Sequence, residues 1–239
     1  MEKRSNQDSS LLEAGLGKIG IGSEEPVFSL LEKYIDEIEL FNSAYGLVKV
    51  KDRRELIVKH IFDSLAPIKI FHDLSMSQKC TLEKQFRIAD IGSGAGLPGI
   101  PLSICIREAE FTLVERMKRR AGFLMDAVAV LGLSNVTVEE TEMEELSANQ
   151  SFSGLFDIIT FRAWKPLSPS ILNGLLPLLK PGGTIAAYKG RRESIEEEIS
   201  QFLLAKGNST GALFGKAETI PLEVPFLNEE RHLVLLSKS

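Results

Sequence analysis

Apolar side chains at Phe28, Leu31, Ile35, Ile38 and Phe41 recur at three- and four-residue steps, with Glu32, Lys33, Asp36 and Glu39 between them. That spacing predicts an amphipathic helix starting near Pro26. Glu55–Leu65 shows a similar stripe, so residues 26–75 read as a helical subdomain. Residues 1–25 ahead of it are polar and glycine-bearing, and their composition predicts a mobile segment. After Phe86 the rhythm changes. Short apolar runs at 86–91, 111–115, 135–139, 156–161, 184–189, 217–223 and 231–237 predict strands. Helical patterns fall near 98–107, 118–131, 168–179 and 193–206. Alternating strands and helices imply parallel pairing through right-handed crossovers. The last two strands have no helix between them and predict an antiparallel hairpin. The fold class is therefore α/β, a Rossmann-like, mostly parallel seven-stranded sheet over residues 76–239, with an N-terminal helical extension.

The first strand runs into Asp90-Ile91-Gly92-Ser93-Gly94-Ala95-Gly96. A glycine-rich turn between strand and helix lets a ligand lie against bare backbone. The dinucleotide fingerprint needs G-x-G-x-x-G, but Leu97 stands where its third glycine would be. Gly92, Gly94 and Gly96, preceded by the acid Asp90, fit S-adenosylmethionine (SAM) methyltransferases better than dehydrogenases. Ligands of such sheets bind outside the carboxyl ends of the strands. Glu115 ends the second strand there and can accept hydrogen bonds from both ribose hydroxyls. Met143-Glu144, after the third strand, is a candidate adenine neighbourhood, with ordinary core the competing reading of Met143. Arg162 ends the fourth strand on the same edge. It could pair with an acid of the cofactor site, hold the methionine carboxylate or meet an RNA phosphate.

Composition narrows the classes. The 239 residues include two cysteines, Cys80 and Cys105, and three histidines, which suggests neither a disulfide framework nor a metal site. No run of 18 apolar residues and no signal-type core is present, so the expectation is a cytoplasmic protein without a membrane partner. A net charge of −5 argues against a general nucleic-acid binder. Any RNA contact then falls to local basic clusters: 49–60, Lys118-Arg119-Arg120 and Arg191-Arg192. Lys118 and Arg119 sit in the first turn of a predicted helix, against its dipole, which favours an anion-binding role.

The segment after the fourth strand bears on the acceptor. Arg162-Ala163-Trp164-Lys165 is not the Asn/Asp-Pro-Pro-aromatic tetrapeptide of exocyclic-amine DNA methyltransferases, and no cysteine follows a suitable strand for attack on a pyrimidine ring carbon. A nitrogen with an exposed lone pair, such as guanine N7, needs neither device, because in-line positioning can supply much of the rate. Competing readings are a methyltransferase acting on a small molecule or a protein, a non-catalytic SAM-binding module on the ribosome, and an NAD-binding oxidoreductase.

The segments KDRRELIVKHIFDSLAP, IADIGSGAGLPGIPLSI, FTLVERMKRRAGFL, FDIITFRA, LLKPGG, YKG and ERHLVLL follow one another in an order that closely resembles the RsmG (GidB) family. These are bacterial guanine-N7 methyltransferases of 16S ribosomal RNA. The resemblance implies SAM as donor, S-adenosylhomocysteine as product, and 16S rRNA in the small subunit or an assembly intermediate as partner. It implies that Gly92, Leu97, Glu115, Met143, Glu144 and Arg162 line the SAM pocket. His60, Asp63, Ser64, Lys189 and Arg231 match other motif positions, expected near the target base or RNA backbone, with His60 and Arg162 the catalytic candidates. On the residues alone, His60 and Ser64 share a helix face at i and i+4, and a structural role for His60 competes with a functional one. Lys189 could equally cap a strand. The family often has Asp where Glu115 stands, and Trp164 departs from its usual pattern. With no heptad seam, the expected state is a monomer.

Overall fold

The computed structural model describes residues 2–22, 26–77, 85–204 and 214–239. Its sheet has seven strands: β1 (Arg87–Ile91), β2 (Glu110–Val114), β3 (Val136–Glu139), β4 (Phe156–Arg162), β5 (Leu179–Lys189), β6 (Phe214–Pro221) and β7 (His232–Lys238). They lie in the order β3-β2-β1-β4-β5-β7-β6. The five strands β1 to β5 are parallel, and β7 runs antiparallel between β5 and β6. The hairpin expected at the C-terminus is present, one to three residues from its expected bounds.

Period-two alternation divides the core into two layers. Ile88, Phe111, Leu113, Ile158 and Ala186 face one apolar cluster. Their neighbours Ala89, Ile91, Val114, Ile159 and Ala187 face the other. Both faces are covered, which is why the parallel strands read as nearly continuous apolar runs.

Ten α-helical segments are described: α1 (Glu2–Ile19), α2 (Val27–Tyr45), α3 (Arg53–Leu56), α4 (Asp63–Leu65), α5 (Ile68–Ser77), α6 (Gly99–Cys105), α7 (Lys118–Leu131), α8 (Met143–Ala148), α9 (Pro169–Leu175) and α10 (Arg192–Leu204). Within the N-terminal segment expected to be mobile, Glu2–Ile19 form helix α1. Leu11, Leu12 and Leu16 are buried in the core shared with α2 and the sheet. Gly15 reads as a helix breaker, yet its missing side chain makes room for a ring: a Cβ there would lie 2.0 Å from Phe62 Cζ.

Between α3 and α4 the chain stays helical but widens into a π-helix, Ile57–Phe62. Such turns occur mostly inside α-helices and frequently at functional sites. Asp52 caps the start, its carboxylate accepting the Glu55 N–H at 2.8 Å. The helix expected over 168–179 ends as α at Leu175, passes through a 3-10 turn at Leu176–Leu178, and β5 begins at Leu179. Cys80 lies outside the described residues. Cys105 is largely buried and its thiol is pushed up to about 12 by burial. No described helix is long and apolar enough to cross a membrane.

Candidate active site

The glycine loop is held from three sides. Asp90, fully buried at the end of β1, accepts the Gly99 N–H at 2.9 Å. Its own carbonyl accepts the Ser93 hydroxyl at 2.8 Å. Burial pushes the Asp90 carboxyl up to about 7. Glu115, just after β2, accepts the Gly94 N–H at 2.9 Å through one oxygen and the Met117 N–H at 2.8 Å through the other. From the helical extension, the Tyr34 hydroxyl donates to the Ala95 carbonyl at 2.6 Å.

Two cavities open beside this loop. The smaller, about 440 Å³, is lined by Gly92, Glu115, Met117, Glu142, Met143 and Glu144. Its volume falls within the roughly 300–1,000 Å³ of small-molecule sites. The larger, about 750 Å³, is lined by Gly94, Leu97, His60, Asp63, Arg162 and Lys189, among others. Gly92, Arg120, Ala163, Trp164 and Lys165 border both. Trp164 forms the partition: a Cβ on Gly92 would lie 2.2 Å from its Cδ1. Ala163 reaches that position in the left-handed region, at φ 51°, which costs a residue with a side chain strain energy. Lys165 stands over the indole at 4.9 Å.

A polar cluster occupies the floor of the larger cavity. Arg162, at the end of β4, donates to Asp63 at 2.8 Å and to the Lys59 carbonyl at 3.3 Å. Its other nitrogen lies 3.0 Å from His60 Nδ1. Arginine only donates, so Nδ1 accepts and a neutral His60 carries its proton on Nε2. Burial, then the Arg162 charge, lowers the imidazole to about 4. His60 is therefore neutral at ordinary pH. The other Asp63 oxygen lies 3.2 Å from Arg231.

Most cations of this cavity already hold carboxylates. Lys59 pairs with Glu55 and Glu229, Lys165 with Glu144, Lys189 with Glu198, and Arg162 and Arg231 with Asp63. Among the described residues, no carboxylate lies within ion-pairing distance of Lys49 or Arg120.

The sequence-predicted residues therefore divide. Gly92, Gly94, Leu97, Glu115, Met143, Glu144, Arg162, His60, Asp63, Lys189 and Arg231 line one cavity or the other. Asp90 and Gly96 line neither and shape the loop from beneath. Ser64 is also withdrawn: fully buried, it donates to the His60 carbonyl at 2.6 Å, and its own carbonyl accepts from Tyr188 at 2.7 Å. His60 and Ser64 stay one turn apart, with the Ser64 hydroxyl on the His60 carbonyl, but only His60 lines the cavity. Lys118 and Arg119 are exposed and line neither cavity; the third member of that triplet, Arg120, lines both. A charge triplet gives no helical phase, so the sequence could not single Arg120 out. In the 49–60 cluster, Arg53 is tied to Asp36 at 2.6 Å and also to Glu39.

Residues 28–218 match the family described as GidB, rRNA small subunit methyltransferase G. The chain is similar along its length to proteins named Ribosomal RNA small subunit methyltransferase G. That of Treponema pallidum subsp. pallidum is 38% identical over 95% of this chain and 93% of that protein. That of Treponema denticola is 35% identical over 96% and 94%, and that of Acinetobacter baumannii 32% over 95% and 96%. Among solved structures, the METTL16 MTase domain superposes with a TM-score of 0.58 at 15% identity, covering 87% of this chain and 80% of that one. A SAM dependent methyltransferase from Aquifex aeolicus gives 0.53 at 17%, covering 86% and 98%. At these identities the superpositions speak to the fold alone.

Proposed function

This chain belongs to the rRNA small subunit methyltransferase G family, and on that premise we propose that it moves the methyl group of SAM to N7 of a guanine in 16S rRNA. The observation that carries the reading is the pair of cavities meeting at Gly92 and Trp164, one suited to an adenosine and the other floored by a neutral histidine and by carboxylates that are already paired with cations.

The residues of the smaller cavity fit SAM. Each Glu115 oxygen spends one lone pair on a backbone N–H and keeps another for a ribose hydroxyl. Met143 offers a polarizable contact for a purine face. Leu97 and the loop from Gly92 give an apolar, side-chain-poor path toward the larger cavity. Bound there, SAM supplies an electrophilic sulfonium methyl.

Guanine N7 carries no proton at neutral pH, so its lone pair forms the new N–C bond directly. The electrons of the breaking C–S bond return to sulfur, and the positive charge passes from sulfur to the purine. No base is required, and the His60–Arg162–Asp63 cluster has a positioning task. Its fixed tautomer presents an N–H that can donate to an acceptor on the purine edge. Orientation of this kind can contribute about 7–11 kcal/mol to a bimolecular step.

The test is transfer of labelled methyl from SAM to small subunits from cells lacking the modification, followed by digestion to nucleosides. Label in 7-methylguanosine is expected. Label confined to another nucleoside, or to protein, would overturn the proposal.

A further inference from the structure

Arg120 and Lys49 stand out in an otherwise compensated site. Arg120, in the first turn of α7, borders both cavities. One terminal nitrogen donates to the Gly46 carbonyl at 3.2 Å, at the C-terminus of α2. Its Nε is buried and has no hydrogen-bond partner. A buried donor without an acceptor is costly and calls for an explanation. Lys49, three residues after Gly46, is exposed on the rim of the larger cavity only. Two cations without a carboxylate partner among the described residues thus stand at one mouth, one on α7 and one on the connection after α2. The five other cations there are each held by an acid.

We propose that Arg120 and Lys49 together hold one backbone phosphate of the acceptor RNA at the mouth of the larger cavity. The proposal rests on the reading of the chain as an RNA methyltransferase and adds the anchor point. A phosphodiester has two anionic oxygens. The terminal N–H groups of the guanidinium can donate to them, while the lysine contributes a point charge from the rim. A carboxylate from the cofactor's methionine could also meet Arg120, but it would leave Lys49, which borders only the acceptor cavity, without a role. Held at its phosphate, a nucleotide can turn its base toward Trp164 and His60. Phosphate contacts fix register in this way without reading sequence.

The test compares wild type with Arg120→Gln, Lys49→Gln and the double variant. Binding to small subunits lacking the modification is measured from 50 to 200 mM salt, and S-adenosylhomocysteine binding by calorimetry. Each single variant is expected to flatten the slope of log K against log salt, together by about 0.7 for one phosphate of a single strand. Cofactor affinity stays unchanged. Slopes equal to wild type overturn the proposal. So does a fall in S-adenosylhomocysteine affinity with RNA binding intact, which would assign Arg120 to the cofactor's carboxylate. If Arg120→Gln fails to fold, Lys49→Gln decides alone, since this exposed side chain has no described partner to lose. Wild type that neither binds nor methylates small-subunit RNA would sink the underlying reading instead, whereas wild-type binding with unmoved variants sinks only the anchor.

Discussion

Asp90 shows how one residue can serve a site it does not line. Its carboxyl holds the start of α6 through Gly99, yet its second oxygen is buried without a partner. Burial raises its folded-state value to about 7 from an ordinary 3.8, so the folded protein holds a proton that the unfolded chain releases. By linkage, the group is harmless to stability below about pH 4 and increasingly costly as pH rises toward and through 7. The thermal midpoint of Asp90→Asn should therefore gain on wild type as pH increases from 5 to 8. Parallel curves would refute this ionisation. Gly92 is constrained differently. Its φ of 72° and the indole against it leave no room for a methyl group, so Gly92→Ala should lose S-adenosylhomocysteine binding, read by calorimetry. Trp164 is also the only tryptophan in the chain. Cofactor entering beside Gly92 should change its emission, and a spectrum indifferent to saturating cofactor would place the ligand elsewhere. The loop glycines, Asp90 and Glu115 were legible in sequence because strand, turn and acid follow one another along the chain. Arg120 was not, since its value lies in what fails to pair with it.

At the scale of elements, the helical extension and the cofactor loop are one mechanical unit. Tyr34 on α2 reaches the Ala95 carbonyl, and Tyr188 on β5 reaches the Ser64 carbonyl. Both phenols are buried. Tyr34→Phe leaves a buried carbonyl without its donor, a loss of about 1–3 kcal/mol. It should lower the thermal midpoint and weaken cofactor binding together; an unchanged cofactor affinity would show that the loop holds its shape without α2. The sheet's order of strand and helix was readable because parallel strands demand apolar runs separated by crossovers. The π-helix was not, because Ile57, Ile61 and Leu65 are buried at the four-residue steps that an ordinary α-helix would also show.

For the molecule as a whole, α1 belongs to the same core as the sheet. Its polar first half masks three buried leucines, and a core that closes only through tertiary contact leaves a weak trace in local composition. Leu12→Ala should cost about 2–5 kcal/mol, measured by denaturant unfolding. A change under about 0.5 kcal/mol would mean that α1 is peripheral. The strand order sets both cavities at the carboxyl edge of the sheet, where the ends of β1, β2 and β4 bring Gly92, Glu115 and Arg162 together.

The paired cations around the larger cavity bear on which RNA molecules the protein ignores. Glu229, Glu198, Glu144 and Asp63 already sit on Lys59, Lys189, Lys165 and Arg162. A stray transcript offering only its phosphates must displace a carboxylate at each of these positions, and the chain as a whole repels it. The protein carries its own competing anions. In a cell crowded with polyanions, such internal rivals leave the mouth open chiefly to a strand whose shape and protruding base add what charge alone does not provide.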